Sequence, residues 1–207
     1  RVALDTEGNS LFNYFERVCL LQLSIGDEHF LIDPLGGLKL AALYDALSEC
    51  PLILHAAEND FRMLYSECGF VPRAGVFDTL IAAQLLGRNQ LSLAALVEAH
   101  AGVVLCKKGQ KSNWARRPLT ADQLSYAVDD TKFLLSIAEA QERELEEQGR
   151  LGWHLECCAR TAECGSKSNG RDPGEAWRIR GAGKLRRKEL TCLRELWRGR
   201  DGQARAA

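Results

Sequence analysis

The sequence predicts an α/β fold in which helices cover a central sheet, followed by a helical extension. Short apolar runs of β type occupy much of residues 1–54, whereas apolar residues at three- and four-residue spacings dominate residues 58–148. Strands followed mainly by helices on one sheet are typical of a single α/β domain. At 207 residues and 46% hydrophobic, the chain can bury one full-sized core.

The predicted strands begin at the first residues. Val2-Ala3-Leu4 is apolar and leads directly into Asp5, as a strand whose lead-in is missing would. Residues 18–25 and 30–32 flank a Gly26-Asp27 turn signal and predict a β-hairpin. Residues 51–54 are apolar after the proline and predict a short strand buried on both faces.

The helical part is predicted from spacing and from one cap. Thr120 and Gln123 match a capping box, which predicts a long helix from there to about Gln148. The other predicted helices cover residues 38–49, 58–68, 79–86 and 91–100.

Charge and composition change near residue 165. Residues 1–164 hold 15 Lys and Arg against 23 Asp and Glu, whereas residues 165–207 hold 12 against 5. An acidic body suits a cation site and a basic tail suits a polyanion, although from charge alone we prefer to interpret the tail as an ordinary solvated surface helix. We predict a domain over 1–150, a connecting segment and linker over 151–175, and an incomplete helical domain over 176–207, where Leu190, Leu193 and Trp197 share one helix face.

Several classes of protein are disfavoured. No apolar run approaches the ~20 residues that span a bilayer, and the first residues do not resemble a signal peptide. Adjacent Cys157-Cys158, with Cys164 and His154 nearby, does not match the spacing of zinc ligands. We therefore expect reduced thiols in a soluble, cytoplasmic protein.

Carboxylates follow two of the predicted strands. Asp5 and Glu7 are two residues apart on a strand, so their side chains point to the same side. Two neighbouring carboxylates repel each other unless a cation such as Mg²⁺ or Mn²⁺ binds between them. His55 and Asp60 follow the apolar strand, at the edge of an open sheet where ligands bind. Taken alone, the first pair is better explained as ordinary surface residues, and a favourable first-turn acid of a helix explains Asp60 at least as well.

A tyrosine and an aspartate share one face of the long predicted helix. Tyr126 and Asp130 are four residues apart, whereas Asp129 is turned by about 100° and is the poorer ligand. An aspartate on the side of core residues such as Val128 and Leu134 needs a partner, which favours a functional role.

A basic loop precedes that helix. Lys107, Lys108 and Lys111 are candidates for phosphate contacts, and Trp114 is a candidate for stacking on a base. The alternative is a solvated loop with Trp114 as a packing anchor, which we prefer for the tryptophan.

Four motifs in order resemble the DEDDy exonucleases, and more closely the ribonuclease D family. They are D-T-E at 5–7, H-A-x-E-x-D at 55–60, F-D-T-x-x-A-A at 77–83 and Y-x-x-x-D at 126–130. The run from Leu91 through Trp114 to Ala127 is similar to that family's approach to its last motif. The tail around Trp177 and Trp197 looks like the start of the HRDC-like, nucleic-acid-binding domain that follows the exonuclease in these proteins.

The resemblance implies a ribonuclease H-like exonuclease fold, with a mixed central sheet, and hydrolysis that uses two divalent cations, Mg²⁺ or Mn²⁺. Its catalytic set is Asp5, Glu7, Asp60, Tyr126 and Asp130; the four acids are the metal ligands and the tyrosine orients water. His55 is expected near the scissile nucleotide or as a structural histidine. Lys107, Lys111 and Trp114 remain candidate nucleic-acid contacts.

The implied activity is 3′→5′ trimming of RNA to nucleoside 5′-monophosphates, as in maturation of tRNA and structured RNA. Single-stranded or 3′-tailed RNA, including tRNA precursors, is the expected partner of a monomer that does not bind membranes. Two alternatives stay open: a DNA exonuclease of the proofreading or Werner type, and a non-catalytic nucleic-acid-binding module. Nothing in the motifs reads the 2′-hydroxyl, so the choice of RNA depends on the resemblance alone.

Overall fold

The computed structural model describes residues 1–106, 108–165 and 173–206. It divides the chain into two compact units. The larger comprises Arg1–Phe12 with Glu16–Ser168, and the smaller comprises Asn13–Phe15 with Asn169–Ala207. Lys107 and residues 166–172 of the predicted linker lie outside the described residues.

The larger unit is built on a five-stranded mixed sheet with strand order β3-β2-β1-β4-β5. β1 pairs antiparallel with β2, and β2 with β3, whereas β4 runs parallel to β1 and β5 runs parallel to β4. The strands are β1 (Val2–Gly8), β2 (Val18–Ile25), β3 (Glu28–Ile32), β4 (Leu52–Leu54) and β5 (Val76–Asp78).

Seven α-helices and the short 3₁₀ helix Pro34–Gly36 complete the described part of the larger unit. The α-helices are α1 (Ala41–Ser48), α2 (Glu58–Cys68), α3 (Thr79–Leu85), α4 (Leu93–Ala101), α5 (Ala121–Lys132), α6 (Leu134–Glu147) and α7 (Leu151–Gly165).

The alternation of side chains along the strands creates two cores. Val2 and Leu4 pack with Phe61 of α2 on one face, whereas Ala3 and Ile53 pack with α6 on the other. β4 is buried along its whole length between β1 and β5. These features confirm the predicted α/β fold, the hairpin of β2 and β3, and the doubly buried strand.

The prediction of one helix from Thr120 to about Gln148 is wrong beyond its start. The capping box of Thr120 and Gln123 is present, but α5 ends at Lys132 and α6 begins at Leu134. The two helices have different partners: α5 lies across β1, β2 and β3, and α6 packs on α3 and β4. A single straight helix does not follow both surfaces, so the chain breaks at Phe133.

The compact larger unit extends beyond residue 150. α7 packs against α2 and β5, with Cys158 in the core and the His154 ring 4.1 Å from that of Phe77. Gly165 lies so close to α2 that an added Cβ would stand 2.6 Å from the Phe61 Cβ. The segment that we predicted to be a connector therefore begins with a helix of the sheet unit.

The smaller unit contains the predicted basic helix. It has two single-turn 3₁₀ helices, Pro173–Glu175 and Ala182–Lys184, followed by α8 (Arg187–Ala206). Within this unit the Tyr14 hydroxyl donates a hydrogen bond to Asp201, and the Arg205 guanidinium lies 5.5 Å from the centre of the Phe15 ring. In the part of the chain that the structure describes, no helix has the length and apolarity needed to cross a membrane.

Candidate metal centre

A cavity of about 410 Å³ opens at the carboxyl ends of β1 and β4. Its position follows from topology, because parallel neighbours in an α/β sheet end at the same edge and leave a crevice there. All five residues of the predicted catalytic set line it, together with His55: Asp5, Glu7, Asp60, Tyr126 and Asp130.

Three carboxylates meet at one point of the cavity. Asp5 and Glu7 project from the same side of β1, and Asp130 reaches them from α5. One oxygen from each lies within 4.8 Å of the others. Among the described residues this is the only group of three or more His, Cys, Asp or Glu side chains that is close enough to hold one metal ion.

Asp60 approaches from the opposite face of the sheet. Its Oδ1 accepts hydrogen bonds from the backbone N–H of Thr6, at 3.0 Å, and from the Thr6 hydroxyl, at 2.5 Å. Thr6 lies between Asp5 and Glu7, so these bonds fix Asp60 directly to the strand that carries the other acids. Asp60 also lines the cavity itself.

The carboxylates are costly to ionise together. Burial, and then the charges of Asp60, Asp130 and Glu7, raise the pKa of Asp5 well above its usual range. Burial, followed by the charge of Asp130, raises the pKa of Glu7 to about 9. Burial likewise raises the pKa of Asp60 and of Asp130 to about 7 in each case.

This arrangement fits a divalent cation. Hard cations such as Mg²⁺ prefer carboxylate oxygens, and a cation removes the repulsion that the raised pKa values reflect. Asp5, Glu7 and Asp130 are placed to hold one ion, and Asp60 supplies a further carboxylate beside them.

Tyr126 and Asp130 lie on one face of α5, as their spacing predicts, and the tyrosine hydroxyl hydrogen bonds to the aspartate. Burial, followed by the charges of Asp130, Glu7 and Asp5, raises the pKa of Tyr126 far above its usual value. Without a bound cation, the phenol therefore keeps its proton at neutral pH and donates its hydrogen bond to Asp130. Asp129 also lines the cavity but lies outside the three-carboxylate group.

His55 lines the cavity, and its ring contacts the Thr79 side chain. The Thr79 hydroxyl donates to the Leu54 carbonyl, at 3.2 Å, and lies 2.9 Å from His55 Nδ1. Burial lowers the pKa of His55 and favours the neutral form of its ring.

Two predicted nucleic-acid contacts of the basic loop, Lys111 and Trp114, do not line the cavity. Trp114 is 1% exposed and packs with Cys19, Leu20 and Ala127, so its ring is a packing anchor and has no open face for a base. The stacking interpretation of Trp114 is therefore corrected. Lys111 is exposed and is absent from the cavity wall.

Sequence reasoning missed the residues of this loop that reach the site. Gln110 lines the cavity, and Gly109 is buried against Tyr126. A Cβ added at Gly109 would stand 2.6 Å from both Cβ and Cγ of Tyr126. The glycine inside a lysine-rich loop is the signal that was available, because glycine is used where a backbone approaches another group closely.

We expect Gly109→Ala to lower turnover about tenfold, because either the loop or Tyr126 must move and small displacements of positioning groups are costly. The rate on a labelled oligonucleotide is the measurement. Gly152→Ala is the matched control: it adds the same methyl group to α7 in open space and should leave the rate unchanged. Equal rates for Gly109→Ala and the unmodified protein would show that this contact does not position the tyrosine.

A second expectation concerns stability in the absence of metal. Because the folded-state pKa values of Glu7, Asp60 and Asp130 lie above the ordinary value near ~4, the folded protein binds more protons than the unfolded chain between about pH 4 and 9. Its free energy of unfolding should therefore fall as pH rises through this range. Melting temperatures measured in EDTA from pH 5 to 9 should decline, and saturating Mn²⁺ should flatten the decline. An equally steep decline with Mn²⁺ would contradict the assignment to these carboxylates.

The sheet topology and the cavity of clustered carboxylates together define the class of metal-dependent 3′→5′ exonucleases with a ribonuclease H-like fold. The chain belongs to the 3′-5′ exonuclease family, whose model matches residues 1–146.

Comparison with known proteins confirms the resemblance to ribonuclease D. Ribonuclease D of Xanthomonas oryzae pv. oryzae is 38% identical over 99% of this chain and 57% of its own length. The crystal structure of Escherichia coli RNase D, described as an exoribonuclease involved in structured RNA processing, is 33% identical. It superimposes with a TM-score of 0.82 over 99% of this chain and 55% of that one.

A shorter relative matches a smaller share of this chain and a larger share of its own length. Brucella melitensis NrnC with bound Mg²⁺ is 28% identical, with a TM-score of 0.70 over 79% of this chain and 82% of that one. The chain described here spans a little over half the length of the curated ribonucleases D that it matches.

Proposed function

We propose that this chain carries the catalytic domain of a 3′→5′ exoribonuclease that releases nucleoside 5′-monophosphates. The observation that carries the proposal is the meeting of Asp5, Glu7 and Asp130 within 4.8 Å, inside a cavity that Asp60 and Tyr126 also line. A non-catalytic binding module has no need for several buried, mutually repelling acids, which cost stability without a cation.

The chain's own residues have distinct tasks in this proposal. Asp5, Glu7 and Asp130 would hold one cation, and Asp5 with Asp60 would support a second. The Tyr126 hydroxyl donates a hydrogen bond to Asp130, so the lone pairs of its oxygen remain to accept a hydrogen bond from the attacking water and orient it. The neutral ring of His55 faces the same cavity and is a candidate contact for the scissile nucleotide.

We propose two divalent cations, Mg²⁺ or Mn²⁺, as cofactors. When bound, such a pair stabilises both the entering and the leaving oxygen of an in-line displacement at phosphorus. The carboxylate-only donor set favours these hard ions over zinc, and the Mg²⁺ bound to Brucella melitensis NrnC supports that choice.

RNA with a single-stranded 3′ end, including tRNA precursors, is the proposed substrate. The relatives named as ribonucleases D support RNA over DNA. The smaller unit adds a basic helix, α8, whose first residues include Arg187 and Lys188 next to Arg186. These cations suit phosphate contacts, which position a polyanion without reading its sequence.

The test is incubation with 5′-labelled and 3′-labelled single-stranded RNA and with DNA of the same sequence, in Mn²⁺. We expect stepwise shortening of the 5′-labelled RNA, and release of the 3′ label as a nucleoside 5′-monophosphate, faster than from DNA. Faster shortening of the DNA would favour the alternative of a DNA exonuclease. Binding without shortening of either strand would favour the binding module.

A further inference from the structure

We propose that Asp78, at the end of β5, is a positioning residue for the metal centre: its carboxylate fixes the turn that places Asp60. The inference depends on the proposed function, since it concerns the same site. Asp78 itself is 1% exposed and lies outside the cavity lining, so its effect must pass through the turn between β4 and α2.

The first step is the contact between the carboxylate and the turn. Asp78 Oδ1 accepts a hydrogen bond from the backbone N–H of Ala56, at 3.0 Å, and Oδ2 accepts one from Ala57, at 2.9 Å. β4 and β5 pair so that Leu54 lies opposite Asp78, which places the carboxylate beside the residues that follow β4. Two adjacent N–H groups are thus held by the two oxygens of one side chain.

The second step is the conformation that these bonds hold. Ala56 has a φ of +62°, and it is the only non-glycine residue with positive φ in the described part of the chain. An alanine in this left-handed region is strained, and such strain persists only where the surroundings enforce it. The hydrogen bonds from Ala56 and Ala57 to Asp78 are the enforcing contacts that the structure offers.

The third step links the turn to the metal ligand. The carbonyl of Ala57 accepts the hydrogen bond of the Phe61 N–H, at 3.1 Å, and so forms the first turn of α2. Asp60 lies within that turn, and its Oδ1 must meet Thr6 of β1 at 2.5–3.0 Å. Releasing Ala57 therefore loosens the helical turn from which Asp60 reaches the strand of Asp5 and Glu7.

Asp78 also has a purely structural role as the cap of α3, and an experiment must distinguish this role from the positioning of Asp60. Its Oδ1 caps α3 by accepting from the N–H groups of Leu80, at 2.8 Å, and Ile81, at 3.3 Å. Serine caps helices about as well as aspartate, but it has a single, shorter oxygen that does not reach the turn at the same time. Asp78→Ser thus retains the cap and loses the contacts with Ala56 and Ala57.

A graded pair of variants is available. Asp78→Asn keeps a carbonyl oxygen at the Oδ1 position, so the hydrogen bonds to that oxygen remain. At the Oδ2 position the amide NH₂ cannot accept the hydrogen bond of the Ala57 N–H, so only that bond is lost. We expect the Mn²⁺ concentration that gives half of the maximal thermal stabilisation to rise about tenfold in Asp78→Ser and less in Asp78→Asn. The rate at saturating RNA, measured at the Mn²⁺ concentration that half-saturates the unmodified protein, should fall in the same order, since outer contacts of metal ligands typically contribute 10–100-fold. The KM for RNA should change less than threefold.

The matched control is Val76→Ala, two residues earlier on the same strand. Val76 is buried in the core and pairs with Leu52 at the start of β4, whereas the turn follows Leu54, so its truncation lowers the melting temperature through lost packing. Its half-saturating Mn²⁺ concentration should stay within twofold of that of the unmodified protein. If Asp78→Ser and Val76→Ala lose similar stability and have the same Mn²⁺ dependence, Asp78 is only a structural residue and the proposal fails.

A rescue variant tests the strained turn directly. Ala56→Gly removes the cost of the positive φ, so the turn needs less enforcement. Added to Asp78→Asn, it should reverse at least half of the rise in the half-saturating Mn²⁺ concentration. Ala56→Gly alone should change that concentration little. No recovery in the double variant would overturn the role assigned to Ala56. If Asp78→Ser does not fold, by circular dichroism, the comparison of Asp78→Asn with its Ala56→Gly double variant still decides the question.

Failure of the proposed function would give results different from failure of the positioning role alone. If the unmodified protein neither shortens RNA nor gains thermal stability from Mn²⁺, the metal centre itself is refuted. If it does both, and the Asp78 variants share its half-saturating Mn²⁺ concentration, only the positioning role is refuted.

Discussion

Asp130→Asn is expected to lower the rate of RNA shortening at saturating substrate on the order of a thousandfold, and Asp5→Asn should do the same. Each change removes an anionic ligand from the group of three carboxylates whose oxygens lie within 4.8 Å of one another. A cation contributes several kcal/mol to stabilising charge at the reacting phosphorus, and each ~1.4 kcal/mol corresponds to a factor of ten in rate. Single-turnover rates in Mn²⁺ are the measurement.

Asp129→Asn is the internal control for this prediction. Asp129 is the neighbour of Asp130 on α5 and lines the same cavity, but it lies outside the three-carboxylate group. Its rate should stay within about threefold of that of the unmodified protein. In EDTA, Asp5→Asn and Asp130→Asn should melt at an equal or higher temperature than the unmodified protein, because one member of a repelling set is gone. Near-normal rates for either variant would refute the ligand assignment.

Removal of metal is expected to abolish hydrolysis. The described residues that line the cavity include no lysine or arginine that could stabilise negative charge on the leaving oxygen. Metal-stripped protein in EDTA should shorten RNA at least a thousandfold more slowly, and addition of Mn²⁺ or Mg²⁺ should restore the rate.

The control for metal removal is the stability of the fold. Circular dichroism should be unchanged in EDTA near pH 6, because the core packs without the site. Undiminished hydrolysis by metal-stripped protein would contradict metal-dependent catalysis in any form. Restoration by one of the two ions only would identify the preferred cofactor.

Much of the fold was predictable because its periodicities are strong and local. The hairpin of β2 and β3 has a turn signal between two apolar runs, and α2 coincides with its predicted range over 58–68. β5 was missed because it has only two apolar residues, Val76 and Phe77, before Asp78, whereas the equally short β4 is apolar throughout. The break at Phe133 was missed because a helical spacing continues across it; the change of direction depends on which surfaces α5 and α6 contact, and that is tertiary information.

The site was predictable to a similar extent, and for a related reason. Spacing placed Asp5 with Glu7, and Tyr126 with Asp130, because two residues on a strand or four on a helix share a side. The approach of Asp60 from the other face, through Thr6, requires knowledge of how α2 crosses the sheet. The burial of Trp114 was favoured from the sequence, but the contact of Gly109 with Tyr126 depends on the path of a loop that has no periodicity.

The wide separation of the acids along the chain has a consequence for biosynthesis. Asp5 and Asp130 are about 125 residues apart, and they meet only when α5 has docked on β1. A ribosome-bound chain that ends before α5 contains Asp5, Glu7 and Asp60 but lacks the last ligand and the tyrosine. Under the proposed ligand assignment, the metal centre is therefore completed only after all five strands have been made, and we expect a fragment that ends before α5 to be inactive.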